Sequence, residues 1–466
     1  MTQDELCYLG LVEVGQRIRA RQLSSVAVTR AILERIARLD VRLKSYATVT
    51  AETALEQAAA ADQEIARGVS RGPLHGVPVA VKDLCYTRGV VTAAGMPIYK
   101  DYVPERDATV VSRLKEAGAV ILGKLQMTEG AFSAHHPSIE APVNPWSAAH
   151  WSGVSSSGSG VATAAGLCYG SLGSDTLGSI RFPSTANGIT GLKPTWGRVS
   201  RAGVFAFAET MDHIGPMARS AADAAAILGA IAGPDPDDPT AAQVAVPDYL
   251  AGLAGGVRGV RIGIDRNVIT TGADADMARV AEEACAVLRD LGAEVRDVTL
   301  PSLDPMVFDA IALCATEAAA AHQETFPARA GEYGPVLARL LETGRQVNPL
   351  TLAGVIERRA VFIGRLAALL RDVDLLLVPA MNEAAPTLAS MVMRVADPKA
   401  RIGRLRFTSP FDMSGSPTVT LPGGKTTDGL PIGFQLVGRH FEEALLLRAA
   451  HAFQQATDWH MRRPGL

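Results

Sequence analysis

The sequence predicts an α/β fold, with a mixed and mostly parallel central sheet covered by helices. Strand-like and helix-like segments alternate along the chain: a β-branched strand leads up to Lys82, residues 108–117 have helical spacing, and 119–124 form a short apolar run. The same alternation recurs further on, at 260–264, 277–291 and 293–301. A strand–helix–strand order favours parallel strands joined by crossover helices.

The other segments extend this pattern to both ends of the chain. Residues 23–39 carry apolar side chains at helical spacing, and 51–66 are rich in Ala, Glu and Gln, so the first 70 residues are predicted to be helical. The remaining predicted elements are helices at 221–232, over most of 310–370 and at 442–456, and strands at 373–379 and 418–422.

The domain organisation follows from the absence of an internal repeat or a linker in the sequence. We expect one large α/β domain over 1–466, with its core at about 60–235 and 370–460. The part at about 240–370 is predicted to be its helix-rich, variable region.

Composition and charge exclude several classes of function. Because 48% of the 466 residues are hydrophobic and 20% are charged, the chain can build a large core. A net charge of −3 without long like-charged runs argues against a nucleic-acid partner. No basic, apolar leader and no apolar run of about 18 residues is present, and the five cysteines form no CxxC pair. We therefore expect a cytoplasmic protein without a membrane partner.

Two serine-rich pieces, 152–160 and 173–181, carry the strongest chemical signal. A flexible linker is the first alternative for 152–160, but the following residues 161–175 are small and apolar and suit a buried helix and strand. A nucleotide-binding turn is the second alternative. It lacks a clear preceding strand, Thr163 occupies the third glycine position, and no Gly-Lys-Ser/Thr follows.

A serine nucleophile needs a base and N–H groups that hold the developing oxyanion. None of the nine histidines has a triad context: His135 and His136 adjoin on a predicted loop, and His150 and His213 are interpreted as structural. A lysine can act as the base if burial lowers its pKa from about 10.4 to roughly 7–8. Lys82 follows the apolar run VPVAV, although it could instead reach solvent or pair with its neighbour Asp83.

Several long motifs, in order and spacing, resemble the amidase signature family over almost the whole chain, except 240–370. They are GVPVAVKDL (76–84), SGVSSSGSGVATAAG (152–166), GSDTLGSIRFPS (173–184), GLKPTWGRVSR (191–201), DHIGPMARS (212–220), DLLLVPAM (374–381), SPFDMSGSPTVTLPGG (409–424) and DGLPIGFQLVGRHFEEALLLRAA (428–450). The resemblance implies the amidase signature fold and hydrolysis of a carboxylic amide, without a metal or other cofactor.

The resemblance also implies a role for each motif residue. Lys82 is the base, Ser155 is a bridging serine that often follows a cis peptide bond, and Ser179 is the nucleophile, 179 − 155 = 24 positions later. The expected oxyanion donors are the N–H groups of Ser179 and of Thr176, Leu177 and Gly178. The supporting residues are Ser156, which orients the relay, and Asp175 and Arg181, which pair to shape the loop unless they form an ordinary surface ion pair.

Three positions depart from the family pattern. Val154 and Ser157 stand where glycine is usual, and Leu177 replaces the glycine two positions before the nucleophile. The Leu177 side chain is expected to narrow the acyl site. Walls of the substrate pocket are expected from 125–136 and from the variable 300–400 region, with Phe308, Phe326 and Tyr333 as candidates that could equally belong to the core.

Three functions remain open at this point. The first is a stand-alone amidase for a small or aryl amide, or for an ester, hydrazide or carbamate. The second is the A-type subunit of a tRNA-dependent amidotransferase, whose NMDEF-like stretch reads LQMTEGAF here, at 125–132. The third is a ligand-binding pseudoenzyme, suggested by the lost glycines. The oligomeric state is also open, with a homodimer as one alternative.

Overall fold

A computed structural model provides the structure of the protein. It describes residues 1–394 and 398–466, with side chains for all of these except 392–394 and 398–401. Eleven strands form one continuous sheet in the order β1-β3-β2-β4-β6-β5-β10-β11-β9-β7-β8. Their bounds are β1 (Tyr46–Val49), β2 (Pro78–Lys82), β3 (Val120–Leu125), β4 (Gly170–Asp175), β5 (Thr190–Lys193), β6 (His213–Ala218), β7 (Arg261–Ile264), β8 (Glu294–Asp297), β9 (Leu375–Pro379), β10 (Thr418–Lys425) and β11 (Pro431–Gly438).

The sheet is mixed. The pairs β2–β3, β2–β4, β7–β8 and β7–β9 are parallel. The pairs β1–β3, β4–β6, β5–β6, β5–β10, β10–β11 and β9–β11 are antiparallel. Helices cover the sheet, and the predicted α/β fold class is therefore confirmed.

The helices occupy most of the chain between the strands. Their bounds are α1 (Gln3–Cys7), α2 (Leu11–Arg19), α3 (Ser25–Leu43), α4 (Ala51–Ala66), α5 (Thr109–Glu116), α6 (Ser157–Ala164), α7 (Arg181–Asn187), α8 (Ala221–Ile231), α9 (Arg266–Gly272), α10 (Ala275–Asp290), α11 (Asp304–Ala321), α12 (Pro335–Arg345), α13 (Pro349–Asp372), α14 (Leu388–Arg394), α15 (Pro398–Leu405), α16 (Ser409–Met413) and α17 (Glu443–Ala456). The α4 helix coincides with the predicted segment, and α5, α8, α10 and α17 lie within about two residues of their predicted bounds.

The serine-rich segment lies in the interior of the protein. Every residue of α6 and β4 is buried. Small side chains permit this close approach: a Cβ on Gly158 would lie 2.3 Å from the Ser45 carbonyl oxygen, and one on Gly160 would lie 2.6 Å from the Asn187 amide nitrogen. The prediction of a buried helix and strand after residue 160 is confirmed for the strand, whereas the helix begins earlier, at Ser157.

Strands β1, β5, β6 and β11 are not predicted by the sequence pattern. Both β6 and β11 contain proline and glycine, which are rare in strand interiors. The β5 strand has only four residues. These segments become strands because their neighbours in the sheet offer ladder partners, and tertiary pairing overrides weak local preference.

Candidate active site

Lys82 ends β2 with its side chain fully buried. Its Nζ lies 2.7 Å from Ser155 Oγ, 2.9 Å from Ser156 Oγ and 2.7 Å from Ser174 Oγ. Burial lowers the pKa of Lys82 to about 7, and this outweighs the opposing effect of nearby acidic groups, including Asp175. The amine is therefore largely neutral just above neutral pH, as a general base requires.

The alternative environments of Lys82 do not occur. Its side chain has no route to solvent, and Asp83 faces a different lysine, with 3.4 Å between Asp83 Oδ1 and Lys124 Nζ. Lys124 in turn donates to the Cys85 carbonyl and to Thr92 Oγ1. Lys82 is therefore surrounded mainly by hydroxyl groups.

Ser155 and Ser156 lie just before α6, and the Val154–Ser155 peptide bond is cis. Ser156 Oγ donates to the Ser174 carbonyl at 3.1 Å and accepts the Ser174 N–H at 3.2 Å, so it is fixed to β4. The Ser155 carbonyl accepts the Thr128 N–H at 3.2 Å. The turn before α6 is thus held between β4 and the loop after β3.

Ser174 is a contact of Lys82 that the sequence motifs did not indicate. Strand alternation provides a signal for it, because it lies in β4 next to the β2 strand that carries Lys82. Its position inside GSDTLGSIR was visible, but the motif alone assigned no role to it.

Ser179 lies in the turn between β4 and α7 and is partly exposed. Its hydroxyl forms no hydrogen bond with Ser155 or with any other residue that the structure describes. The structure thus brings Lys82, Ser155 and Ser156 into direct contact and leaves the last link, Ser155 to Ser179, unformed. Catalytic hydrogen bonds are often long without substrate and tighten in the complex.

Asp175 and Arg181 form a buried pair rather than a surface ion pair. Arg181 Nε donates to Asp175 Oδ2 at 3.0 Å and Nη2 donates to Oδ1 at 2.8 Å, and neither side chain is exposed. Asp412 contacts the same guanidinium, 2.5 Å from Nη2. Although burial opposes ionisation, the Arg181 guanidinium holds the pKa of Asp175 well below its usual range. The pair is therefore ionised and rigid.

The Asp175 carboxylate also binds the turn that carries Ser179, the predicted nucleophile. Asp175 Oδ1 accepts the Gly178 N–H at 2.7 Å, and Oδ2 accepts the Ile180 N–H at 3.0 Å. The prediction that Gly178 donates to an oxyanion does not fit this geometry, because its N–H already has a charged acceptor. The N–H groups of Thr176, Leu177 and Ser179 have no acceptor among the described residues.

Gly178 has a steric role instead. Its φ is +131°, and a Cβ there would lie 2.6 Å from the Phe182 ring and 2.9 Å from Thr408 Oγ1. Thr408 Oγ1 also donates to the Leu177 carbonyl at 2.7 Å. Only glycine fits at position 178, and Thr408 fixes the preceding peptide.

The three departures from the family pattern lie around this turn. Leu177 and Val154 are partly buried and pack against the main core. Ser157 is fully buried, with its Oγ 3.2 Å from His135 Nε2. His213 is buried, and its Nδ1 lies 3.1 Å from the Asp175 carbonyl oxygen, consistent with a structural role.

The aromatic candidates for the pocket wall fall into two groups. Phe326 and Tyr333 belong to the core, where Tyr333 contacts His322 and Thr325, and Phe308 is 56% exposed on the surface. Residues 395–397 of the same region lie outside the described part of the chain. A small cleft beside the base is lined instead by Leu84, Ala131, Ser174, Arg201, Val204, Phe205, Ala206, Phe207, Glu209, Asp212 and Ile214.

Within 1–394 and 398–466, no group of three or more His, Cys, Asp and Glu side chains is placed to hold a metal ion. None of the helices described is long and apolar enough to span a bilayer.

The comparisons with known proteins agree with this architecture. The Amidase family profile matches residues 27–447. AmiD of Mycobacterium tuberculosis, which bears an amidase name, is 51% identical over 464 residues, covering 100% of this chain and 97% of its own. The A-type subunit of the glutamyl-tRNA(Gln) amidotransferase of Geobacter metallireducens is 39% identical over 490 residues, covering 99% of this chain and 100% of its own.

The fold also matches that of an amidase whose structure has been solved. The peptide amidase from Stenotrophomonas maltophilia superposes with a TM-score of 0.84 at 32% identity, covering 98% of both chains. Fold, buried lysine–serine cluster and relatives together define a hydrolase of carbon–nitrogen bonds. The chain belongs to the amidase family, as the motif resemblance predicted.

Proposed function

We propose that this enzyme hydrolyses a carboxylic amide through an acyl-enzyme on Ser179, with a proton relay from Ser179 through Ser155 to Lys82. The observation that carries the proposal is the dry contact of Lys82 with three hydroxyl groups at 2.7–2.9 Å. A lysine whose pKa is lowered to about 7 can accept a proton from a serine without help from a histidine.

Hydrogen-bond counting supports the direction of the relay. A neutral amine has two N–H donors and one lone pair. The only proton of the Ser156 hydroxyl points to the Ser174 carbonyl, so Ser156 Oγ must accept one Lys82 N–H. If Ser174 Oγ accepts the second, the lone pair faces the Ser155 hydroxyl. Ser155 can then give its proton to Lys82 while it takes the proton of Ser179.

The proposed cycle balances its protons. Ser179 Oγ attacks the carbonyl carbon as its proton moves through Ser155, leaving a protonated Lys82 and a tetrahedral oxyanion. The C–N bond then breaks while the Lys82 proton returns through Ser155 to the leaving nitrogen, which must be protonated because amide nitrogen leaves poorly as an anion. Water attacks the remaining ester, and the same relay restores Ser179 and releases the carboxylic acid.

The free N–H groups of Thr176, Leu177 and Ser179 are the proposed oxyanion donors. Their segment is rigid because Asp175 and Thr408 fix the residues around it. Rigid donors stabilise a developing charge without reorganising, and loss of one donor in such sites reduces kcat by about 10²–10³-fold.

A stand-alone amidase for a small or aryl amide, or for an ester, hydrazide or carbamate, is the favoured version of this proposal. It is supported by the higher identity to AmiD, 51%, than to the amidotransferase relative, 39%. We further propose a single domain over 1–466 that acts in the cytoplasm. An amidotransferase would require co-purifying partner proteins, and a pseudoenzyme would bind ligand without turnover.

The test uses a fluorophosphonate probe and a panel of amides that vary in acyl length and amine leaving group. Ser179→Ala is expected to lose both labelling and turnover. Ser159→Ala is the matched control, because Ser159 belongs to the same serine run but donates to the Leu172 carbonyl, away from the base. Hydrolysis by a folded Ser179→Ala variant at the wild-type rate would refute the proposal.

A further inference from the structure

We propose that Asp212 is a positioning residue that holds Thr176 in place. Thr176 is the first residue of 176–179, which carries the proposed oxyanion donors and is called the oxyanion segment below. The inference rests on the proposed function, because it concerns the N–H groups assigned there to the oxyanion. Asp212 belongs to the motif DHIGPMARS, to which the sequence alone assigns no chemical role.

Strand register places the two residues side by side. β4 and β6 are antiparallel, and Asp175 pairs with His213 at the end of the ladder. The next residue beyond β4 is Thr176, and the residue just before β6 is Asp212. Thr176 and Asp212 therefore lie side by side at the end of these two strands, where the chain leaves β4 and enters the turn that carries Ser179.

Both oxygens of Asp212 are engaged by donors. Thr176 Oγ1 donates to Oδ1 at 2.6 Å. Oδ2 accepts the N–H groups of Phe207 at 2.8 Å and Ala208 at 2.9 Å. The ionised carboxylate accepts all three bonds, and Asp212 thereby ties Thr176 to the wall of the cleft beside Lys82.

This anchor complements the others in the segment. Asp175 holds Gly178 and Ile180, and Thr408 holds the Leu177 carbonyl. Neither fixes the first residue of the segment, Thr176. His213 holds the peptide before Thr176 at the Asp175 carbonyl. Without Asp212, the peptide between Thr176 and Leu177 would be less constrained, and the Leu177 N–H would lose part of its preorganisation.

The charge state of Asp212 is set by its surroundings. Lys82 from β2, Arg201 and Glu209 from the loop before β6 and Cys314 from α11 are the ionisable groups near it. Burial raises the pKa of Asp212 to about 6, against the lowering effect of its three hydrogen bonds and of Arg201. Below pH 6 the carboxyl is protonated, so the charge-assisted bond from the Thr176 hydroxyl is lost or is reversed into a weaker neutral one.

The first test is Asp212→Ala, which removes both carboxylate oxygens and with them the contact to Thr176. We expect kcat to fall at least tenfold at pH 8 with little change in KM. In the wild type, kcat/KM below pH 6 should drop more steeply than one proton allows, because both Lys82 and Asp212 are then protonated. The pH profile of kcat/KM for the variant should fit the protonation of one group only, and its kcat/KM should approach that of the wild type at low pH.

The second test does not depend on the folding of that variant. Thr176→Val replaces the hydroxyl with a methyl group and should reproduce the loss in kcat, whereas Thr176→Ser retains a hydroxyl donor for Asp212 and should lose markedly less kcat than Thr176→Val. The double variant Asp212→Ala with Thr176→Val should be no slower than the slower single variant, because both changes break the same contact. Additive losses, or wild-type kcat in Thr176→Val, would overturn the inference.

Two controls separate the possible outcomes. Asp223→Asn changes another buried carboxyl, which accepts the Val12 N–H at 3.0 Å far along the chain, and should lower the melting temperature but not kcat. If Ser179→Ala abolishes turnover while Asp212→Ala behaves like the wild type, only the positioning role fails. If Ser179→Ala turns over normally, the proposed function fails first.

Discussion

Two buried lysines of this enzyme share a low pKa but occupy opposite kinds of environment. Burial lowers the pKa of both Lys82 and Lys193 to about 7. Lys82 is surrounded by three serine hydroxyls. Lys193 Nζ lies 3.2 Å from the Pro194 carbonyl oxygen and 3.1 Å from His213 Nε2, close to the buried pair of Asp412 and Arg181.

The difference shows what a lysine base needs besides burial. The hydroxyls beside Lys82 can both give and receive protons, so a proton can leave its immediate surroundings along them. Both groups beside Lys193 act as acceptors. The Pro194 carbonyl oxygen can only accept, and His213 donates from Nδ1 to the Asp175 carbonyl, so its Nε2 accepts from Lys193. Low pKa values of buried lysines also arise in structural networks. The hydrogen-bonding partners therefore distinguish Lys82, the proposed base, from Lys193. Asp175 acts electrostatically on both lysines and connects the two environments.

The largest expected difference between the two lysines comes from replacing each of them with methionine, which has a similar length but no amine. Lys82→Met should reduce kcat by about 10²–10⁴-fold, the range for a lost general base. Lys193→Met should change kcat less than threefold and should instead change the melting temperature. Steady-state kinetics and thermal unfolding of both variants test this prediction. An equal loss of kcat in the two variants would show that the two lysines do not differ in their importance for catalysis.

The pH dependence gives the next largest effect. If Lys82 is the base, as proposed, it acts only when it is unprotonated, so kcat/KM should rise about tenfold per pH unit between pH 6 and 7 and level off above pH 7. Between pH 6 and 7 this single ionisation should dominate. Lys193→Met should leave the midpoint in place, since the base is elsewhere. A midpoint that disappears in Lys193→Met would instead assign the ionisation to Lys193.

Much of the Lys82 environment could be predicted from the sequence, and little of the Lys193 environment. Lys82 ends a recognisable β-branched strand, and Ser155 and Ser179 lie in motifs that follow it at family spacing. Lys193 ends β5, a strand of four residues that forms only through its neighbours. The acidic partner Asp412 is 231 positions from Arg181, a distance at which no local pattern indicates contact.

The hydrogen bonds of the oxyanion segment were also only partly predictable from the sequence. Its place before the nucleophile was predictable, but the acceptor of each N–H was not. Gly178 was predicted as a donor to the oxyanion, and its N–H belongs to Asp175 because the carboxylate turns back under the loop. Asp212 and Ser174 were likewise inside visible motifs, and only the strand register brings them to the site.

The smallest expected effect concerns Leu177, in the segment that follows Asp175. Its partly buried side chain takes the place of a hydrogen atom in most of the family and is expected to narrow the acyl site. Leu177→Gly should therefore raise kcat/KM two- to fivefold for bulky acyl groups and leave short ones nearly unchanged. The variant should also be less stable by about 1 kcal/mol or more, because glycine is more flexible in the unfolded chain and packing is lost.

The acyl panel distinguishes a steric effect from a general one. Leu177→Ala is the matched control, since it removes most of the side chain without adding backbone freedom. If both variants favour bulky acyl groups, the side chain limits the pocket. If only the glycine variant changes and does so for every acyl length, the backbone of the oxyanion segment has loosened. Equal kinetics across all acyl sizes in both variants would place Leu177 outside the acyl site, and the chemistry at Lys82 would then be insensitive to this departure from the family.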